Sequence, residues 1–213
     1  LRKKAQMAYD QIFLGCVLVV FLVTFVATLV IVRRLGHDPR GAVNGHIGGA
    51  VVTSTASLLW LVVTLFYIFE ARSVTWFWRI AFLDTAVVKG IGIASSTVGL
   101  VVSIAGEVTL GESFCLALPL GKKKLVTRGI YRYIRNPCVL GVILVVLGTF
   151  LIAPSLLAFL ALVVNVIGYE MKVRAEEEYL RRTYRDEYEA YCAKTGRYLP
   201  SLGAGLNSNV GRS

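Results

Sequence analysis

The sequence predicts an all-α, polytopic membrane protein. It has about five transmembrane helices, the last two forming a C-terminal helical hairpin, followed by a cytoplasmic amphipathic helix. Three observations predict this. Apolar residues make up 56% of the 213-residue chain and mean hydropathy is +0.67, which excludes an ordinary soluble domain. The apolar residues gather into runs close to the length that crosses a bilayer. The charged residues, 23 basic against 13 acidic for a net charge of +10, flank those runs. On a soluble chain such an excess would point to nucleic acid. Beside apolar runs it points to a membrane surface.

The first expected span is 12–32, closed by the charges and helix breakers of Arg33–Arg40. It is too long for a signal-peptide core and has no small-residue cleavage site after it. The second is 47–69, ending at Glu70, Arg72 and the interfacial aromatics Trp76, Phe77 and Trp78. The third is 85–110. Gly92, Ser96, Gly99, Ser103 and Gly106 recur along it at spacings of 4, 3, 4 and 3. That places them on one helix face, where small side chains let a neighbouring helix approach closely. No strand precedes them, so a phosphate-binding glycine loop is the weaker reading.

Two shorter runs follow, 139–152 and 155–169, separated by Ala153 and Pro154. Proline removes a helix donor and disfavours helix at the residue before it, so the pair reads as a hairpin. Each arm, at 1.5 Å per residue, reaches only about 22 Å, short of the ~30 Å hydrocarbon core. Either the arms borrow residues from their flanks, or their polar ends sit below the surface within reach of a lipid-soluble substrate. From Glu170 to Tyr191 no Gly or Pro interrupts the chain, so a helix is expected to continue from the fifth span. Val173, Leu180, Tyr184, Tyr188 and Tyr191 form its stripe. Residues 1–200 are expected as one integral membrane domain, with a catalytic part at 111–200. Residues 201–213, rich in Gly, Ser and Asn, are expected as a disordered tail.

Charge sets the expected topology. With a cytoplasmic C-terminus, the 33–40 loop, the 122–135 segment and the tail from Lys172 all face inside and hold most of the Lys and Arg. Arg2, Lys3 and Lys4 dissent.

Two polar features stand out against this background. The stretch from Leu125 to Gly141 is dense in charge and aromatics, with Arg128, Arg132 and Arg135 among Tyr131 and Tyr133 and with Gly129 and Pro137 on either side. A lipid-facing helix would not carry it, since each charge in hydrocarbon costs several kcal/mol, roughly. It reads either as a basic surface loop or as a binding loop shaped by Gly and Pro. The second feature is Glu177, which falls on the apolar stripe of the tail helix. A carboxylate on a packed face needs a partner. Arg174 or Arg181 on the same helix would make an ordinary ion pair, and a ligand amine or cation would make a site. The four cysteines, Cys16, Cys115, Cys138 and Cys192, have no CxxC spacing, and His37 and His46 share one loop. Neither a disulfide framework nor a metal site is expected.

These blocks carry a resemblance. Leu125-Val-Thr-Arg-Gly-Ile-Tyr131-Arg-Tyr-Ile-Arg135-Asn-Pro137, with Gly141 behind it, precedes the hairpin. Glu176-Glu177-x-x-Leu180, Tyr184-Arg-Asp-Glu-Tyr188-x-x-Tyr191 and Tyr198-Leu-Pro200 follow it. In this order they resemble the isoprenylcysteine carboxyl methyltransferase and phospholipid methyltransferase family of integral membrane enzymes, over about residues 85–200.

The resemblance implies S-adenosylmethionine as methyl donor on the cytoplasmic side and a lipid-like or prenylated acceptor, a carboxylate of the isoprenylcysteine type among the candidates. Nucleic acid is not an expected partner; membrane lipids are. It implies donor contacts at Leu125, Val126, Gly129, Tyr131, Asn136, Pro137, Val139, Glu176 and Glu177, with Arg135 and Glu177 on the catalytic side. The residue chemistry fits. A carboxylate suits the donor's amine, and the Arg135 guanidinium suits an anionic nucleophile. Methyl transfer from an activated sulfonium needs alignment and desolvation more than acid–base groups. Three departures from the family pattern stand in this sequence. Asn136 replaces a common His, Val139 replaces the usual Tyr, and Tyr184-Arg185 replaces a common Phe-Gly, the last expected to alter only a helix contact. A membrane NADPH-dependent reductase of the sterol reductase type and a non-catalytic membrane scaffold are the alternatives.

Overall fold

The computed structural model describes residues 2–35, 47–70, 73–114 and 125–201. It is an all-α polytopic membrane protein, with helices α1 (Arg2–Arg34), α2 (Ile47–Phe69), a single turn α3 (Ser73–Trp76), α4 (Ala86–Leu110), α5 (Pro137–Ile152), α6 (Leu156–Tyr184) and α7 (Asp186–Lys194). The helices α1, α2, α4 and α6 are long and apolar enough to cross a membrane, and α5 is a shorter apolar helix. Residues 36–40 of the expected 33–40 loop, residues 122–124 of the 122–135 segment, and the tail beyond 201 lie outside the described residues.

The small-residue seam of α4 packs as its spacing predicts. All five of its members are buried, and they face a matching pair on α5, Gly141 and Gly148. A Cβ added to Gly99 would stand 2.6 Å from the Gly141 carbonyl oxygen, and one added to Gly92 2.8 Å from that of Gly148. Backbone meets backbone here, which is how membrane helices associate without a hydrophobic driving force. The α5 half of the seam has its glycines seven residues apart. On the other side of the bundle α2 packs on α6, where a Cβ at Gly168 would meet Thr53 backbone at 3.1 Å. Asn165 of α6 donates to the Ala56 carbonyl of α2 at 2.9 Å. Between these seams an apolar core joins Val17 and Leu18 of α1, Trp60 of α2, Val145 and Val146 of α5, and Ala161 of α6. The remaining apolar faces, such as Ile12, Val23, Leu58, Val87 and Val101, are exposed, as lipid-facing surfaces are.

The hairpin forms at Ala153–Ser155, and the Ser155 hydroxyl caps α6 by accepting from the Ala158 N–H at 3.2 Å. The two arms differ in length. The α6 helix runs on to Tyr184, well beyond the apolar run, whereas α5 starts at Pro137 and gains almost nothing.

One expectation is corrected. The helix from the fifth span does not continue unbroken to Tyr191. It stops at Tyr184, and Arg185 turns the chain at φ 46°, ψ −119° before α7 begins. This is a conformation that glycine adopts without strain and arginine does not. The expectation that the Tyr184-Arg185 pair alters only a helix contact is corrected as well: position 185 is a backbone corner.

Candidate functional site

The site is built where the loop before α5 meets the far end of α6. Gly129 opens the loop at φ 58°, and a Cβ there would come within 2.9 Å of the Thr109 methyl group at the end of α4. Only glycine meets both demands. A short 3-10 turn, Gly129–Arg132, then buries Tyr131. The Tyr131 hydroxyl lies 3.4 Å from Cys138 Sγ, and its carbonyl accepts from the Tyr191 hydroxyl of α7 at 2.7 Å. Burial raises the Tyr131 phenol well above its usual range and pushes that of Tyr191 up to about 12, so both stay neutral hydrogen-bonding groups.

Pro137 takes the first position of α5, where its missing N–H costs nothing. Asn136 stands at the N-cap but its side chain does not cap the helix. It donates instead to Glu177 Oε1 at 3.4 Å. The backbone of this segment is held by the returning C-terminal strand of chain. Arg135 N–H donates to the Gly196 carbonyl at 2.9 Å, Asn136 N–H to the Arg197 carbonyl at 3.1 Å, and Gly196 N–H to the Tyr133 carbonyl at 3.3 Å.

Glu177 is the centre, 1% exposed. Arg197 grips it with two bonds, Nη2 to Oε2 at 2.6 Å and Nε to Oε1 at 3.2 Å. Arg135 adds Nε to Oε1 at 3.3 Å. The two same-helix candidates contribute little: Arg181 stands 3.9 Å away and Arg174 pairs with Glu170. Arg135 is engaged further, its Nη1 donating to the Cys192 carbonyl at 3.3 Å and to the Thr195 carbonyl. Arg197 also reaches Glu170 at 3.0 Å, and the Tyr198 hydroxyl donates to the same carboxylate at 2.8 Å. The bond to Glu177 makes the Arg197 guanidinium hold its proton more firmly than usual, while burial and the Glu170 bond raise the Tyr198 phenol.

The structure thus brings Arg135, Asn136 and Glu177 into direct contact. Gly129, Tyr131 and Pro137 shape the loop around them. Glu176 is half-buried, with Lys172 one turn back and within electrostatic range of Tyr131 and Cys138. Val139 is buried in the first turn of α5, and Leu125 and Val126 are half-buried at the start of the loop. Arg128 and Arg132 are exposed. Sequence reasoning missed Arg197 and Glu170. The signal for Arg197 was available in part, because it immediately precedes the Tyr198-Leu-Pro200 block.

Residues 85–187 match the model of the phospholipid methyltransferase family. Two curated relatives, each named "Probable protein-S-isoprenylcysteine O-methyltransferase", come from Oryza sativa subsp. indica and subsp. japonica. Each is 33% identical over 118 residues, covering 50% of this chain and 62% of the relative. The chain therefore spans about three-fifths of the length of these relatives. The family match takes in α4, the loop, the hairpin and α6, so it includes Arg135 and Glu177. It stops short of Arg197.

Proposed function

We propose that the chain transfers a methyl group from S-adenosylmethionine to a lipid-like or prenylated acceptor at the cytoplasmic membrane face. The observation that carries this reading is the closure of the Gly129–Pro137 loop on the buried Glu177 carboxylate, within the segment that matches a methyltransferase family. The flanking basic residues favour a cytoplasmic C-terminus and a cytoplasmic site.

The residues present suit the donor's chemistry. Its ammonium matches the Glu176–Glu177 pair, its carboxylate matches the guanidinium N–H groups, and its adenine matches the phenol faces of Tyr131, Tyr133 and Tyr191. Leu125, Val126 and Val139 offer apolar walls, and Gly129, Asn136 and Pro137 offer close backbone approach. Because Arg197 already occupies both Glu177 oxygens, the fit requires it to share that carboxylate. S-adenosylmethionine, when bound, supplies an activated methyl group. The chain's part is to align the acceptor, exclude water and control charge. Arg135 holds Glu177 and the α7 end in register, and Glu177 fixes the donor's cationic end.

A methyl-transfer assay with label on the donor, run across lipid extracts and small prenylcysteine mimics, tests the reading. Label appearing in a lipid or prenylated product supports it. Binding of NADPH with no binding of S-adenosylmethionine would overturn it in favour of a reductase.

A further inference from the structure

Arg197 binds two carboxylates at once. Its Nη2 and Nε donate to Glu177, and its Nη1 donates to Glu170 at 3.0 Å. The two acids lie seven residues apart on α6, two turns and about 10 Å along the axis, so one planar fork bridges two stacked seats. The seats differ in depth. The Glu177 side chain is 2% exposed and that of Glu170 28%. Glu170 has a second, weakly held cation. Exposed Arg174 donates to the same Oε1 at 2.8 Å, a same-helix surface pair of the kind that contributes little. The Tyr198 hydroxyl, next along the chain from Arg197, donates to Glu170 Oε2 at 2.8 Å and keeps that carboxylate beside the arginine.

A donor ammonium at Glu177 needs an oxygen that is free to accept it. Oε1 takes Arg135, Asn136 and the Nε of Arg197. Oε2 takes Arg197 Nη2 at 2.6 Å, with Arg181 at 3.9 Å. Arg135 is the fixed arginine of the two, because its Nη1 also holds the Cys192 and Thr195 carbonyls. Arg197 is the movable one. Its backbone is pinned, since its carbonyl accepts from the Asn136 N–H. Its side chain is 34% exposed and already touches a second carboxylate. Releasing Glu177 Oε2 therefore needs only a swing of the guanidinium toward Glu170, with no opening of the chain.

We propose that Glu170 is a positioning residue for donor binding, which takes the Arg197 guanidinium as the donor's ammonium takes Glu177 Oε2. The proposal rests on the reading of Glu177 as the donor's ammonium site and adds the residue that frees it. No buried charge is stranded in the exchange. Arg197 keeps an anionic partner at Glu170, Glu177 keeps a cation on each oxygen, and Arg174 turns to water. Glu170 thus sets donor affinity without touching the donor.

Calorimetric titration of S-adenosylmethionine into the whole chain in detergent, across Glu170→Gln, Arg197→Gln and the double variant, tests this. Glu170→Gln removes the second seat and is expected to weaken donor binding by about tenfold, the size of one charge-assisted contact. In the Arg197→Gln background Oε2 is already free, and the same change is expected to cost less than about twofold. An equal loss in both backgrounds, as a direct or merely structural role for Glu170 would give, overturns the proposal. Undiminished binding by Glu170→Gln overturns it too. If the wild type binds no S-adenosylmethionine, the donor reading of Glu177 fails, and the exchange is read from unfolding midpoints instead. That measurement also serves if Arg197→Gln does not fold. Glu170→Gln is expected to lower the midpoint more in a Glu177→Gln background than in the wild type, because Arg197 then depends on Glu170 alone. Equal shifts in the two backgrounds would show that the guanidinium does not pass between the seats.

Discussion

The two ends of the helix bundle each bury an acid, and they treat it differently. At the end where α1 and α4 begin, Asp10 is fully buried and meets Lys89 at 2.7 Å, which also meets Asp84 at 3.3 Å. Asp84 in turn pairs with Arg79. Two acids and two bases neutralise one another and join α1 to the start of α4. At the other end Glu177 takes two guanidiniums, from a loop and from the C-terminal segment, while Glu107 takes hydroxyls only. The first cluster is balanced and ties two helices. The second gathers side chains from elements far apart in sequence and leaves one acid without a cation among the described residues. The contrast separates an ionic staple from a site.

Substitutions at the two ends sharpen that contrast. Glu177→Ala is expected to have the largest effect, because it removes the carboxylate that two guanidiniums share, leaving Arg135 only its two carbonyls and Arg197 only Glu170. Such losses cost about 3–5 kcal/mol, visible as a lower unfolding midpoint in detergent, and methyl transfer should vanish with it. Asp10→Asn leaves Lys89 with Asp84 alone and should destabilise by less, about 2–3 kcal/mol, the size of a lost hydrogen bond between charged groups. Its methyl transfer per folded molecule should stay at the wild-type level; a selective loss of transfer would erase the distinction between the ends. Gly99→Val, midway between them, drives a side chain into the Gly141 carbonyl. Overpacking of this kind costs about 1–3 kcal/mol, read as a lower midpoint with unchanged donor affinity. Arg185→Gly should do the opposite, raising stability by about 1 kcal/mol through relief of the positive-φ corner. A fall in stability there would mean that the arginine side chain, not the backbone, governs the α6–α7 turn.

Much of the frame is legible in the sequence because its signals are local. Apolar run length marks α2 at the very bounds observed, and the 4, 3, 4, 3 spacing marks the α4 face that meets α5. The hairpin follows from Pro154. What escapes is non-local or unmarked. The break at Arg185 carries no Gly or Pro, so nothing in the periodicity announces it. The partner of Glu177 could not be chosen between same-helix arginines and a ligand, because the two arginines that bond it, Arg135 and Arg197, meet it only when the chain folds back along Tyr133–Asn136.

The central claim is that the Glu177 cluster holds the methyl donor. Calorimetric titration of S-adenosylmethionine into wild-type protein and into Glu177→Gln, both checked for folding, tests it directly. The account predicts a saturable isotherm for the wild type that is lost, or weakened by more than about tenfold, in the variant. Matching isotherms for the two proteins, or no heat of binding in the wild type, would contradict it.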